Sequence, residues 1–266
     1  MTPADISPAD ISPADISLAN ALADAAGAAI RPWFRRPFLV ETKEDFSPVT
    51  IADREAEAAI RALLAQHRPD DGVIGEEYGE DRPDAARVWV LDPIDGTRSF
   101  IAGRAIFGTL IALMEDGVPV LGVIDQSIAG DRWIGGTGHP TRLNGHRAYV
   151  RHRDALAGAH LATSSPHYFN PDDLRAFERV RSDAFDTLYG GDCYNYALLA
   201  SGHLDLVVEA GLKLHDWAAL APVVTNAGGV MTDWAGAQLR LGSDGRVVAA
   251  GDKRVAEAAR GLLAGS

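Results

Sequence analysis

Residues 88–100 have the sequence VWVLDPIDGTRSF, which places two aspartates and a glycine directly after an apolar run. The four residues before Asp92 are apolar without a helical period, which predicts a buried strand. Because proline has no N–H to give to a strand ladder, we expect this strand to end at Asp92. Gly96 permits unusual backbone torsions, so the carboxylates of Asp92 and Asp95 can converge beyond the strand end.

These residues alone leave two interpretations open. Hard cations such as Mg²⁺ prefer carboxylate and carbonyl oxygens, and the free N–H groups at the start of a helix near Gly96 would bind a phosphate. An aspartate-rich surface turn would contain the same residues. No matching histidine or cysteine cluster favours zinc. The flanking sequence favours a metal and phosphate site.

The segment DPIDGT, residues 92–97, resembles the signature of the inositol monophosphatase family of Mg²⁺-dependent phosphatases, and the likeness covers nearly all of the chain. The family's other motifs resemble Lys43, residues 47–50 (SPVT), Asp53, residues 75–77 (GEE), Glu209, residues 216–219 (DWAA) and residues 227–229 (AGG). The histidinol-phosphatase branch is most similar, through residues 95–100, 124–126 and 190–194, although Ala105 replaces a proline of that branch.

The resemblance implies an α/β (α+β) fold, the layered α-β-α-β-α sandwich of the inositol monophosphatase and fructose-1,6-bisphosphatase type. It also implies two or three Mg²⁺ ions per site. By resemblance, the first ion is held by Glu76, Asp92 and the Ile94 carbonyl, and the second by Asp92, Asp95 and Asp216.

The same resemblance implies the catalytic roles. Glu76 helps to deprotonate a water activated by the metal, Thr97 orients that water, and Asp53 accepts a hydrogen bond from the Thr97 hydroxyl. Two structural interpretations stay open. Asp53 is also placed as an acid favoured by a helix dipole, and Thr97 is also placed as a helix cap.

For the substrate, the resemblance implies that the Gly96 and Thr97 amides bind a phosphate oxygen and that Asp192 and Glu209 contact the alcohol beside Asp216. Two acids suit a cationic alcohol such as histidinol. Four residues have open interpretations: Asp192 also suits a helix N-cap, Arg98 meets phosphate or braces an acid, and Tyr194 and Trp217 each stack on an imidazole or belong to the core.

The predicted function is therefore a Mg²⁺-dependent phosphomonoesterase, first a histidinol-phosphatase. An inositol-1-monophosphatase or a related small-alcohol phosphatase is the alternative. A regulatory binding protein of the same fold is the alternative from a different class. No additional basic cluster is evident that would bind a second phosphate.

Composition limits the partners. The 266-residue chain has a net charge of −12, which argues against nucleic acid or an anionic membrane as a partner of the whole surface. No apolar run approaches the roughly 20 residues of a spanning helix, and the acidic N-terminus is unlike an export signal. A single cysteine, Cys193, fits a reducing compartment. We expect a cytoplasmic protein that acts on a small phosphorylated alcohol and, by resemblance, forms a homodimer.

The organisation follows the pattern of residues. Three copies of Pro-Ala-Asp-Ile-Ser occupy residues 3–17, which predicts a disordered tail over residues 1–16. Residues 17–145 form an N-terminal α+β half with an antiparallel sheet and the metal motifs, and residues 146–266 form a C-terminal α/β half that completes the cleft. Ser17 is predicted to cap a first helix over 18–30. The other principal predicted elements are helices over 49–66, 172–180, 193–201 and 216–227 and a final helix to Leu263, and strands over 72–75, 107–114, 118–126, 131–135, 161–163, 204–208 and 247–250.

Overall fold

The computed structural model describes residues 10–42 and 48–265. The helices in this part of the chain are α1 (Pro13–Ile30), α2 (Ile51–His67), α3 (Thr97–Ile101), α4 (Pro171–Asp183), α5 (Cys193–Ala200), α6 (Leu214–Trp217), α7 (Leu220–Asn226) and α8 (Lys253–Ala264). Short 3₁₀ turns cover Arg31–Trp33, Leu156–Gly158 and Pro166–Tyr168.

The strands follow the same chain order. They are β1 (Val40–Thr42), β2 (Pro48–Thr50), β3 (Gly72–Gly75), β4 (Gly79–Asp81), β5 (Arg87–Asp95), β6 (Gly108–Glu115), β7 (Val118–Gln126), β8 (Asp131–Gly136), β9 (His139–Leu143), β10 (His146–Arg147), β11 (His160–Thr163), β12 (Asp186–Tyr189), β13 (Leu206–Glu209), β14 (Val230–Asp233) and β15 (Val247–Ala250).

Two sheets organise the described residues. The first has eight strands in the order β10-β9-β8-β7-β6-β5-β3-β4, antiparallel except where β3 pairs with β5. The second has five strands in the order β12-β11-β13-β15-β14, in which β11 runs parallel to both of its neighbours. A small antiparallel pair, β1 with β2, lies apart from both sheets.

The apolar residues of each sheet alternate between two cores, as the period of a strand requires. Trp89 and Leu91 of β5 pack with α1 and α2, whereas Val88 and Val90 face a central core that contains α5 and α7. The second sheet closes this central core and covers a third core with α4 and α8 on its other face. The layers are therefore α-β-α-β-α, as the sequence predicted.

The N-terminal prediction is wrong for the residues that the structure describes. Helix α1 begins at Pro13, and Ser12 rather than Ser17 caps it by accepting a hydrogen bond from the Asp15 amide at 3.1 Å. Asp15 is buried and receives hydrogen bonds from Arg68 (3.0 Å) and Arg87 (2.7 Å). The third repeat copy is thus part of the fold, and residues 1–9 of the predicted tail lie outside the described residues.

The central strand is longer than predicted. Strand β5 continues through Pro93 to Asp95, and its pairing with β6 shifts register between Asp92 and Asp95. A shift of this kind removes proline from the regular ladder, which is how a strand tolerates it. Pro93 therefore bends the strand rather than ending it.

Two other boundaries differ. The helix predicted over 216–227 is divided into α6 and α7, and the first sheet extends through β10 to Arg147, two residues beyond the predicted boundary after residue 145. No helix among the described residues is long and apolar enough to span a membrane.

Candidate active site

Four carboxylates from three parts of the chain meet at one end of the central core. Glu76 directly follows β3, and Asp92 and Asp95 lie on the neighbouring strand β5. Because β3 and β5 are parallel, these acids reach the same edge of the sheet. Asp216, on α6, completes the cluster from the second half of the molecule.

The ligand atoms are close enough to share cations. Asp92, Asp95 and Asp216 each offer an atom within 4.8 Å of the others, and a second set at the same spacing joins Glu76 and Asp92 to His215. Carboxylate oxygens dominate both sets, which suits hard divalent cations. The side chains that the sequence assigned to metal binding are therefore brought together.

The electrostatics of the cluster support cation binding. Burial, followed by the nearby carboxylates, raises the pKa of Asp92 and of Asp95 well above the ordinary aspartate value. Burial also raises the pKa of Asp216, although His215 opposes this effect. Like charges held together in a low-dielectric site either take up protons or bind cations. The observed residues thus fit a metal centre.

Backbone geometry holds these acids in place. The Asp95 Oδ2 atom accepts a hydrogen bond from the Cys193 amide (2.6 Å), and Asp216 Oδ2 accepts one from the Lys213 amide (2.6 Å). Asp92 Oδ1 accepts one from the Ile94 amide at 3.1 Å. Asp95 therefore links β5 to the first residue of α5, across the two halves.

Gly96 forms the turn into α3. Its φ of +84° is in the left-handed region, and a Cβ atom there would lie 2.6 Å from Asp192 Oδ2. Glycine is needed for both reasons. The hydroxyl of Thr97, the next residue, donates a hydrogen bond to the Ile94 carbonyl at 3.1 Å and not to Asp53 as predicted.

Asp53 is engaged elsewhere. Its Oδ2 atom accepts hydrogen bonds from the Thr50 amide and hydroxyl in a capping box at the start of α2. The predicted hydrogen bond from Thr97 to Asp53 is therefore wrong for this structure. Asp53 Oδ1 is buried without a hydrogen-bond partner among the described residues, and burial raises the Asp53 pKa to about 6.

Asp192 lines the cleft. It precedes α5 with φ +46°, but its side chain does not cap that helix and instead accepts a hydrogen bond from the Ser99 hydroxyl at 3.0 Å. Burial raises its pKa, opposed by Ser99, Arg104 and Arg98. Asp192 therefore occupies the predicted N-cap position, but its carboxylate does not cap the helix and is held by Ser99 instead.

Glu209 has no direct exposure to the cleft. It is 1% exposed, and its Oε1 atom accepts hydrogen bonds from the Ser164 amide (2.7 Å) and hydroxyl (2.8 Å). Ser164 lines the cleft and Glu209 lies behind it. The predicted contact of Glu209 with an alcohol stays a prediction, and burial raises the Glu209 pKa to about 7.

The cleft has a volume of about 400 Å³. Besides the predicted residues, it is lined by side chains to which the sequence had given no role: Ser164, Tyr168, Lys213 and His215. His215 adjoins Asp216 in sequence, which was the available signal, whereas no motif marked Tyr168. Two predicted residues of the matching motifs, Lys43 and Ser47, lie outside the described residues.

The two aromatic residues proposed for imidazole stacking do not line the cleft. Trp217 is 1% exposed within the central core, and Tyr194 packs edge-on against Trp133 with ring centroids 5.6 Å apart. Both belong to the structural framework.

The five-layer sandwich, with a carboxylate cluster and a glycine turn in the cleft between its two halves, is the fold and site of a family of phosphatases that act on phosphomonoesters. The chain belongs to the inositol monophosphatase family, since the model of that family matches residues 14–264.

Individual relatives are also similar. The chain is 49% identical over 247 residues to the bifunctional phosphatase IMPL2, chloroplastic, of Arabidopsis thaliana (90% of this chain, 71% of the relative). It is 37% identical to a histidinol-phosphatase of Chlorobaculum parvum (87% and 90%). The solved structure of an inositol monophosphatase from Zymomonas mobilis is 54% identical, with a TM-score of 0.88 over 94% of this chain and 98% of that one.

Proposed function

We propose that the chain is a Mg²⁺-dependent histidinol-phosphatase, which hydrolyses L-histidinol phosphate to L-histidinol and phosphate. The observation that carries the proposal is the convergence of the carboxylate cluster with the Asp192 carboxylate in one cleft. The name of the Chlorobaculum relative, a histidinol-phosphatase, supports the choice of reaction, and the name of the Arabidopsis relative supports a phosphatase.

The metal ligands in this proposal are the side chains of Glu76, Asp92, Asp95 and Asp216 and the carbonyl of Ile94. Bound divalent cations would neutralise the phosphate, acidify a water molecule and stabilise the departing oxygen. Magnesium fits because the predicted ligands are oxygens and leave space for water and phosphate.

The chain's own groups complete the reaction. Glu76 takes a proton from the attacking water, whose oxygen forms the new bond to phosphorus. Thr97 orients that water, and the Gly96 and Thr97 amides bind a phosphate oxygen. The bond from phosphorus to the ester oxygen breaks, the departing oxygen takes a proton from a solvent water, and Glu76 returns the proton that it took to solvent, so that the products are the alcohol and phosphate. Arg98, at the mouth of the cleft, provides a positive charge near the phosphate.

Asp192 provides the proposed preference for a cationic alcohol. A carboxylate forms charge-assisted hydrogen bonds with an ammonium or imidazolium group, which an uncharged polyol lacks. Inositol 1-phosphate is a second candidate substrate because the similar Zymomonas structure is that of an inositol monophosphatase.

The test compares phosphate release from L-histidinol phosphate and inositol 1-phosphate at saturating Mg²⁺. We expect kcat/KM for L-histidinol phosphate to be higher by about a hundredfold, or about 2.7 kcal/mol of transition-state binding. A preference for inositol 1-phosphate would contradict the proposed substrate but leave the metal centre intact. Phosphate release that persists in EDTA would contradict the metal dependence.

A further inference from the structure

One aromatic side chain faces the cleft without a role in the proposed reaction. Tyr168 ends the 3₁₀ turn Pro166–Tyr168 after β11, and its side chain is 45% exposed. Among the described residues that line the cleft, Tyr168 alone has a phenylalanine, tyrosine or tryptophan ring. Besides the imidazole of His215, Tyr168 therefore provides the aromatic ring that a ligand in this part of the cleft can contact among the described residues.

The backbone around Tyr168 is fixed. Its amide donates to the Ser165 carbonyl at 3.2 Å, and the Ser165 hydroxyl accepts from the His167 amide at 3.3 Å. The Tyr168 carbonyl lies against Gly211, where an added Cβ atom would approach it to 3.3 Å. The ring thus projects from an ordered turn.

The hydroxyl of Tyr168 is already occupied. Arg98 Nη1 donates to it at 2.9 Å, and the Arg98 guanidinium carbon is 5.6 Å from the ring centroid. Arg98 follows Thr97 in α3, so this contact joins the phosphate side of the cleft to the second half of the molecule. Arg98 therefore covers one face of the ring and uses the hydroxyl as an acceptor, and what Tyr168 leaves for a ligand is the opposite face of the ring and its own O–H donor.

The ring and a carboxylate face the same space. Both Tyr168 and Asp192 line the cleft, and each lies close enough to Arg98 for that cation to act on it. An aromatic face attracts flat and cationic groups, and a carboxylate pairs with their N–H donors. Together they suit a heteroaromatic, cationic alcohol better than an uncharged polyol.

We propose that Tyr168 is a specificity residue, whose ring packs against the heteroaromatic part of the leaving alcohol while Asp192 pairs with its positive charge. This inference rests on the proposed function, because it concerns the alcohol released by that reaction. Tyr168 takes the place of Tyr194 and Trp217, which the structure removes from consideration.

The test measures kcat and KM for L-histidinol phosphate and inositol 1-phosphate with wild type, Tyr168→Ala and Tyr168→Phe. We expect Tyr168→Ala to lower kcat/KM for L-histidinol phosphate about tenfold, mainly through KM, and for inositol 1-phosphate by less than about threefold. Tyr168→Phe keeps the ring and loses the Arg98 hydrogen bond, so its loss should stay below about threefold on either substrate.

Tyr149→Ala is the matched control. Tyr149 is 58% exposed and also has an arginine over its ring, Arg147 at 4.9 Å, but it lies outside the cleft. We expect this control to match wild type on both substrates. Equal losses on both substrates in Tyr168→Ala, no loss at all, or a Tyr168→Phe loss as large as that of Tyr168→Ala would overturn the role of the ring.

A binding measurement separates this inference from the proposed function. Calorimetry would measure L-histidinol binding to wild type and Tyr168→Ala with Mg²⁺ and inorganic phosphate present. If wild type does not hydrolyse L-histidinol phosphate but binds L-histidinol about tenfold more tightly than the variant does, the proposed function fails and the ring contact stands. Equal binding, or no binding of L-histidinol to wild type, overturns the ring contact, and the proposed function is decided by phosphate release from L-histidinol phosphate alone.

Discussion

At the scale of single residues, charge burial is the dominant feature of the cleft and its surroundings. Asp92 and Asp53 are both buried, yet they have different partners: Asp92 faces other carboxylates, and Asp53 closes the capping box of α2. The first arrangement requires cations or protons. Asp53 keeps one carboxylate oxygen without a hydrogen-bond partner among the described residues, so the free-energy cost of burying this side chain depends on whether it is protonated, and therefore on pH.

The raised pKa of Asp53 therefore predicts that the free energy of unfolding depends on pH. Its pKa is about 6 in the folded protein against 3.8 in the reference state. Because the pKa of Asp53 is raised in the folded protein, Asp53 contributes to the free energy of unfolding when it is protonated. This contribution is fully present below pH 3.8 and is lost as pH rises through 6. The total is about 3 kcal/mol. Urea unfolding in EDTA should show wild type losing more stability between pH 4.5 and 7 than Asp53→Asn.

Raised carboxylates that do not interact with Asp53 are present in both proteins and cancel in this comparison. Asp92 does not cancel fully, because repulsion from Asp53 contributes to its raised pKa, and Asp53→Asn removes that contribution as well. Parallel curves of unfolding free energy against pH for wild type and Asp53→Asn would contradict the raised Asp53 pKa.

The sequence motifs predicted which carboxylates meet in the cleft, but not the hydrogen-bond partners of the residues around them. Asp92, Asp95 and Asp216 come together because each follows from a motif attached to a strand end or helix. The partners of Thr97 and Glu209 depend on distances of a few ångströms between side chains, which spacing along the chain does not specify. Tyr168 lies in a turn with no motif, so its position could only come from the fold.

At the scale of elements, the strands with alternating or continuous apolar residues were the most predictable. Strand β7 has the predicted bounds, Val118–Gln126. Strand β12 was not predicted, because it is an exposed edge strand and its residues have no burial pattern. The division between α6 and α7 has a clear cause: Pro222 lacks an N–H and is tolerated only in the first turn of a helix.

The start of α1 was missed for a related reason. Repetition of Pro-Ala-Asp-Ile-Ser suggested low complexity, but Ser12, Pro13 and Asp15 are also a typical helix start, with a cap, a first-turn proline and an acid. The burial of Asp15 beside two arginines decides between the two interpretations, and burial is a property of the folded chain.

Packing between β7 and α7 gives a prediction at this scale. A Cβ atom on Gly122 would lie 2.0 Å from the carbonyl oxygen of Ala219, the residue that precedes α7. Gly122→Ala must displace backbone, so we expect it to lower the free energy of unfolding by about 1–3 kcal/mol. Urea denaturation measures this change.

Gly158→Ala is the control for that substitution. No atom lies within 4 Å of the added Cβ, and its φ is outside the left-handed region. Its effect should stay within about 0.5 kcal/mol. Equal stability changes in the two variants would show that the close approach of β7 and α7 does not restrict Gly122.

At the scale of the whole molecule, the two halves are joined by the central core and by the cleft. Asp92 and Asp95 come from the first half and Asp216 from the second, so a shared cation would connect the two halves. This arrangement explains the placement of the site at the junction. The homodimer, the cytoplasmic location and the number of Mg²⁺ ions stay predictions from the sequence.

The most direct test of the metal centre measures phosphate release from L-histidinol phosphate and inositol 1-phosphate as Mg²⁺ is titrated, with wild type, Asp92→Asn and Asp183→Asn. Asp183 is an exposed acid outside the cleft and is the matched control. We expect wild type and Asp183→Asn to share the same Mg²⁺ dependence, and Asp92→Asn to lose roughly a thousandfold on both substrates. More than a tenth of wild-type turnover in Asp92→Asn, or full wild-type turnover in EDTA, would contradict a catalytic metal centre at these carboxylates.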